Sequence, residues 1–230
     1  MKILCVTLAC VGCWALAVSA EITADEANRL QSAATAIREL RATPDKGIPD
    51  DLFKRAECVA VIPGLKKGAF IVGGEFGKGV VSCRSGQGWT APVFIEMEKG
   101  SAGFQIGAEQ TDLVLLVMNR KGLDKLLSDK VNLGADASVA GGPVGRNAAA
   151  STDAKLTAEI LAYSRSKGAF AGIDVSGGSL RADKKANANA YGADATTEDV
   201  LKTGKLRAPH AAAGFLRALA EEPHKTAGGQ

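Results

Sequence analysis

The stretch from Gly64 to Asn119 constrains this chain most. Between Gly64 and Gly107 it carries 11 glycines in 44 residues, against an average usage of roughly 7%. Around them lie Phe70, Ile71, Val72, Val80, Val81, Trp89, Val93, Phe94, Ile95, Phe104 and Ile106, enough apolar bulk to build a core. The glycines lack the period of collagen or of a repeat array, and they fall inside the expected strands as well as between them. A strand interior accepts glycine at a bulge, at a sharp bend, or where another group approaches the backbone closely. The expected fold class is therefore α+β. A strongly curved, mainly antiparallel β-sheet, barrel-like or a sandwich, has N- and C-terminal helices packed on it.

Strands are expected at Cys58–Ile62, Ala69–Glu75, Val80–Arg84, Thr90–Glu96, Ala102–Ala108 and Asp112–Met118. Gly73–Gly79, which overlaps the end of the second of these strands, reads as a β-turn. Leu113 to Met118 is apolar without alternation, which fits a strand covered on both faces or a buried helical turn. Further along, Leu123–Leu127 suits a short helix, and Gly134–Arg146 a small-residue strand with a turn. Leu156–Ser164 and Ala169–Ser176 suit two more strands joined through Ser166–Gly168. Ser179–Tyr191 is a polar helix or a long loop, and Thr196–Leu201 a short helix.

The flanks are helical. Thr23-Ala-Asp-Glu26 is a capping box, in which the Thr hydroxyl and the Glu carboxylate each serve a backbone N–H of the other. Behind it Leu30, Ala33, Ala34, Ile37 and Leu40 form one apolar stripe at helical spacing. A short helix with Pro49 at its first position and Leu52 and Phe53 inside it should follow. The last helix begins near Pro209, shows Ala212, Phe215, Leu216 and Leu219 on one face, and stops before Pro223.

Residues 1–20 read as a signal peptide: Lys2 is a short basic start, Ile3 to Leu16 is largely apolar, and Val18-Ser19-Ala20 precedes the expected cut before Glu21. A buried N-terminal helix and lipoprotein processing at Cys13 are the alternatives. Residues 21–222 are expected to form a single domain, with 223–230 a disordered tail. The mature chain is expected to be exported, to a periplasm or as a secreted protein, and possibly peripheral to a membrane. Removing Lys2 lowers the formal net charge from +3 to +2, so bulk charge predicts no nucleic-acid binding. Five cysteines become two after processing, Cys58 and Cys83. In an oxidising compartment the pair reads as a disulfide worth ~3.5 kcal/mol in the chain-entropy model; two buried thiols are the alternative.

Catalytic chemistry finds no foothold in the residues. The two histidines, His210 and His224, lie in the last 21 residues, far from every glycine-rich turn. Gly73-Gly-Glu-Phe-Gly-Lys-Gly79 fails as a phosphate loop, because Gly79 stands where a Ser or Thr would hold magnesium and no helix follows. Two thiols and two distant histidines do not make a zinc site. No catalytic residue, metal or other cofactor is therefore expected. The basic residues Lys54, Arg55, Lys66, Lys67 and Lys78 group beside turns, either as a patch for anionic headgroups or as ordinary solvated side chains. Trp89 beside Pro92 suits a membrane interface or the core.

Several motifs, in order, resemble the SYLF domain family. They are Ala60-Val-Ile-Pro-Gly64, Lys67-Gly-Ala-Phe-Ile-Val-Gly-Gly-Glu-Phe-Gly-Lys-Gly-Val80, Trp89-x-Ala-Pro92, Gly103-x-Gln-Ile-Gly-Ala-Glu109 and Asp112-Leu-Val-Leu-Leu-Val-Met-Asn119. Gly134-Ala-Asp-Ala-Ser138, Gly142-Pro-Val-Gly-Arg146 and Tyr163-Ser-Arg-Ser-Lys-Gly-Ala-Phe-Ala-Gly172 complete the set, which covers roughly 51–192. The resemblance implies a module without enzymatic turnover that binds phospholipids, phosphoinositides in eukaryotic members, through basic residues toward its N-terminal part. Some fungal members also bind actin filaments. On that basis the expected partner is an anionic phospholipid surface in the cell envelope, met through the five basic residues above. A protein-interaction module of the actin-filament type, or a carrier of an enclosed apolar ligand, is the alternative.

Overall fold

Thr23 opens α1 (Ala24–Arg41) with the capping box that the sequence predicts: Glu26 N–H donates to the Thr23 hydroxyl, and Thr23 N–H donates to the Glu26 carboxylate. The computed structural model describes residues 21–42, 47–70, 72–86, 88–101, 110–128, 130–145, 157–166 and 169–221. The expectations for 1–20, for the strand at 102–108 and for the tail at 223–230 lie outside the described residues. Along α1 the apolar stripe Leu30, Ala33, Ala34, Ile37 and Leu40 is buried. A second helix, α2 (Asp50–Arg55), buries Leu52 and Phe53. Pro49 stands one place before its first turn, as the cap.

The sheet is built from β1 (Cys58–Phe70), β2 (Val72–Ser85), β3 (Gly88–Trp89), β4 (Val93–Ser101), β5 (Gln110–Val117), β6 (Lys130–Asn132), β7 (Val139–Gly141), β8 (Ile160–Ser166), β9 (Ala169–Gly172) and β10 (Gly178–Ala182). Its order is β6-β10-β4-β2-β1-β5-β8-β7, with β3 on β2 and β9 on β8. The described pairings are antiparallel except β7 with β8. The end strands β6 and β7 are joined by a short loop that is itself bridged, Leu133 to Ala137. A sheet whose two ends are tied this closely curls, here into a half-barrel.

Alternation along the central strands divides the core in two. Val59, Val61, Val80, Phe94, Val114 and Leu116 face the flanking helices and pack with Leu30, Ile37, Phe53 and Phe215. The residues between them, Ala60, Ile62, Val81, Ile95, Leu113 and Leu115, face into the curl with Met97, Val131 and Leu180. Leu113 to Val117 is thus a strand covered on both faces. Burying a Leu, Ile or Phe side chain contributes about 1.5–3 kcal/mol, so both layers matter to stability. Side chains fill the described part of the concave face, since Ile62, Leu65, Met97, Leu113 and Leu115 are at most 1% exposed. Cys58 and Cys83 stand opposite each other on β1 and β2, both buried, and are joined by a disulfide.

The remaining helices divide between the two layers. α3 (Arg120–Leu126) and α5 (Thr197–Leu201) bury Leu123, Leu126, Val200 and Leu201 in the inner cluster, while α4 (Lys184–Tyr191), a short 3-10 turn (His210–Ala212) and α6 (Ala213–Ala220), which packs along α1, close the outer layer. Ser179–Tyr191 is neither one helix nor a loop. It splits into the end of β10 and α4, and Asp183 caps the helix between them.

Two expectations in the glycine-rich stretch are corrected. Gly73–Gly79 is not a β-turn but the body of β2, paired to β1 on one side and β4 on the other. The expected strand Ala69–Glu75 straddles both arms of that hairpin, because Phe70 pairs with Val72. Gly77 and Gly79 there serve strand contact, since a Cβ on either would collide with Val61, Ile62 or Leu65 of β1.

Candidate functional site

The five basic residues named from the sequence come from three elements, α2, β1 and β2. Lys54 and Arg55 lie in the last turn of α2, just before β1 begins at Cys58. Lys66 and Lys67 lie on β1 and Lys78 on β2, toward the other end of the hairpin. Eight residues of strand separate Cys58 from Lys66, roughly 26 Å at the usual rise. The α2 pair and the hairpin residues therefore sit at different places along β1.

Lys78 is also already engaged. Its ammonium is 2.9 Å from Glu96 and 3.1 Å from Asp183. The hydrogen bond to Glu96, helped by Asp183, holds it charged above the usual lysine range. Asp183 in turn accepts from Arg29 of α1 at 3.1 Å and from the Ala186 N–H of α4. Burial pushes the Asp183 carboxyl up, but these donors outweigh it and hold it below the usual carboxylate range. Arg181 extends the network to Glu96 and Glu98. Sequence reasoning missed Asp183 altogether.

At the α2 pair, Trp89 is partly buried between a cation and a ring. Arg84 lies 4.4 Å over it, and the Phe53 ring, itself 4.4 Å from Arg41, is 6.3 Å away. Arg84 also donates to the carbonyls of Phe53 and Ala56, closing the C-terminus of α2. This cluster fixes α2 to the sheet, so Trp89 belongs to the packing.

Lys66 lies on a different feature. The pairing of β1 lapses at one place on both sides, between Val61 and Lys66 toward β2 and between Ile62 and Leu65 toward β5. Pro63 has no N–H to give, and Gly64 takes φ +60°, the left-handed region that glycine accepts without strain. Gly64 N–H donates to Asp112 at 2.9 Å, and the same carboxylate accepts from Arg165 at 2.9 Å. Arg165 is tied to Glu39 of α1 as well.

Between this bulge and α1 runs a groove. One part, about 610 Å³, is bounded by Asp25, Asn28, Arg29, Ser32, Lys66 and Phe76 around Pro63 and Gly64. A second part, about 450 Å³, continues past Gln31 and Thr35 to Arg165. The two share Asn28, Ser32, Pro63 and Asp112. Phe76 is 43% exposed at one end, beside its strand partner Lys66. Among the described residues, the side chains of Lys66, Asn28, Gln31 and Ser32 make no hydrogen bond or ion pair. A separate cleft of about 420 Å³ lies between α4, α5 and Val93. Its Tyr191 hydroxyl donates to Pro92 O and its Asn187 amide serves the backbone of Phe94, so those polar groups are occupied.

Nothing in the groove pairs a nucleophile with a base. Among the described residues no cluster of His, Cys, Asp and Glu has the arrangement of a metal site. No described helix is long and apolar enough to cross a membrane.

Comparison with known proteins places the chain. A family profile described as "Ysc84: Las17-binding protein actin regulator" matches residues 98–222, more than half of the sequence. The chain belongs to this family, the one that carries the SYLF domain. It is 39% identical over 180 residues to LAS seventeen-binding protein 3 of Saccharomyces cerevisiae, which covers 76% of this chain and 39% of that protein. Protein YSC84 of Saccharomyces cerevisiae is 36% identical over 179 residues, 76% of this chain and 38% of that one. SH3 domain-containing YSC84-like protein 1 of Mus musculus is 34% identical over 163 residues, 70% of this chain and 48% of that one. The SYLF-family chain thus spans about two fifths to one half of the length of these relatives.

Proposed function

We propose that this SYLF-family chain is a protein-binding module that acts without turnover, engaging filament-type or filament-regulating partners. Membership in a family described as actin regulators carries this reading. The relatives are named for binding a protein, or for an additional SH3 domain. The segment this chain matches is less than half of each, so the decisive test uses this chain by itself. Residues 21–230, purified with the disulfide intact, are expected to pellet with actin filaments and to saturate. A chain that stays in the supernatant at every filament concentration overturns the filament reading. We also propose that residues 1–20 direct export, so that the natural partner is a protein met in the periplasm or outside the cell.

Anionic phospholipid is the second reading, and exposed Lys54, Arg55 and Lys66 are what favour it. Against it stand the separation of these residues and the engagement of Lys78 by Glu96 and Asp183. Vesicles of phosphatidylcholine, with and without phosphatidylserine, are the probe. Lipid binding through these side chains requires phosphatidylserine and weakens as salt rises, because counter-ions screen exposed charge.

A further inference from the structure

We propose that the groove between α1 and the Pro63–Gly64 bulge is the docking site for an extended segment of a protein partner. That segment carries an acidic side chain for Lys66 next to an apolar one for Phe76. The inference rests on the protein-binding reading above and assigns it a place. Bulges are over-represented where a strand is re-aimed next to a functional site. Here the pairing of β1 lapses toward both neighbours at once, inside a sheet that is otherwise continuously paired.

Four features set the occupant. From Asp25 to Ala36 the α1 wall is about 16 Å long, which matches about five residues of extended chain. That wall presents the side chains of Asn28, Gln31 and Ser32, whose donors and acceptors have no protein partner among the described residues. A peptide backbone offers donors and acceptors in return. At the open end Phe76 exposes an aromatic face, one of two large apolar side chains so exposed among the described residues.

Charge supplies the fourth feature. Arg29 and Lys78 are neutralised by Asp183 and Glu96, and Asp112 by Arg165. Lys66 is left as the cation that seeks an acid. Asp25 on the same wall opposes a surface carrying many negative charges, which favours a peptide with one acid over a lipid bilayer.

The test is selection of a phage library of random linear peptides on residues 21–230, followed by fluorescence anisotropy with the enriched peptides. Enriched sequences are expected to place Asp or Glu within a few positions of an aromatic or aliphatic residue. Lys66→Glu and Phe76→Ser should each weaken binding about tenfold or more, the loss of one central contact. Phe76→Tyr and the exposed distant Lys205→Glu should bind as the parent does. Because Lys66 and Phe76 are exposed, melting temperatures check that both variants remain folded. No enrichment, enrichment of basic peptides, or equal binding by the two variants overturns the proposal. Filament co-pelleting that ignores both variants also overturns it and leaves the protein-binding reading in place. Groove-dependent peptide binding without filament pelleting supports the proposal and overturns the filament reading.

Discussion

Asp183→Ala is expected to lower folding stability by about 3–5 kcal/mol, the range for deleting one partner of a buried ion pair. The Asp183 and Arg29 side chains are only 6% and 9% exposed. Removing the carboxylate leaves Arg29 charged in a site that no longer compensates it, beside the Phe94 ring at 5.3 Å. It also takes an acceptor from Lys78 and the cap from α4. Asp183→Asn separates these contributions, since the amide oxygen still caps Ala186 N–H while the charge is gone. Urea unfolding of the variants with the disulfide intact measures the difference. A loss below about 1 kcal/mol for Asp183→Ala contradicts a structural role for the pair.

The pH dependence has a definite sign. The folded Asp183 carboxyl titrates below its unfolded value of about 3.9. Its stabilisation is therefore complete above that value, and is lost as pH falls below it and through the folded value. Glu159 follows the same rule: burial raises it, while Ser138 N–H, Lys125 and Lys121 bring it below the usual range. Asp183→Ala should flatten the acid limb of the stability curve as well as lower its plateau. Because the Asp183–Arg29 pair pins α1 across the sheet, the same variant should loosen the wall that holds Asn28 and Ser32. Stability and the proposed docking groove are coupled through one carboxylate.

Local signals account for what was legible. The capping box at Thr23 and Glu26, and the apolar stripe from Leu30 to Leu40, are written within a few residues of where they act. The β-branched and aromatic runs announced a sheet, and the glycines among them announced its curvature. Strand limits failed where turn chemistry and packing conflict. Hairpin turns usually show Gly, Asn, Asp or Pro, so Gly73–Gly79 looked like one, whereas the pairing of Phe70 with Val72 puts the turn among apolar residues.

The candidate site was less legible, because its parts are distant in the chain. Arg29 and Asp183 are 154 residues apart, and Lys78 and Asp183 are 105 apart. No spacing rule in one sequence reveals which of 25 acids meets which of 28 bases. Lys66 was named for its charge, and its position beside an exposed Phe76 came only with the hairpin register. The Pro63–Gly64 pair gave only a strand limit. Proline is disfavoured inside a paired strand, so the expected strand ended at Ile62, whereas β1 runs on through a bulge there.

Gly79→Ala is expected to cost about 3 kcal/mol, at the upper end of ordinary overpacking. A Cβ on Gly79 would lie 2.3 Å from the Val61 carbonyl oxygen and 2.8 Å from an Ile62 methylene. The first of these is backbone of the neighbouring strand, which cannot rotate away. On Gly77 the corresponding atom would meet Ile62 at 2.4 Å and Leu65 at 2.7 Å, both side chains that have some freedom to shift. Gly77→Ala should therefore cost less than Gly79→Ala. Gly86→Ala, where nothing lies within 4 Å, should be near neutral. For a chain of this size, 1 kcal/mol corresponds to roughly 2–4 °C in melting temperature, so the ranking is readable by calorimetry. If Gly79→Ala melts with Gly86→Ala, close approach of β2 to β1 is not what these glycines provide. If the ranking holds, the two glycines let β2 press onto Ile62 and Leu65, the residues that bracket the bulge. The glycine content that first pointed to a curved sheet then also shapes the floor of the groove where Lys66 and Phe76 stand.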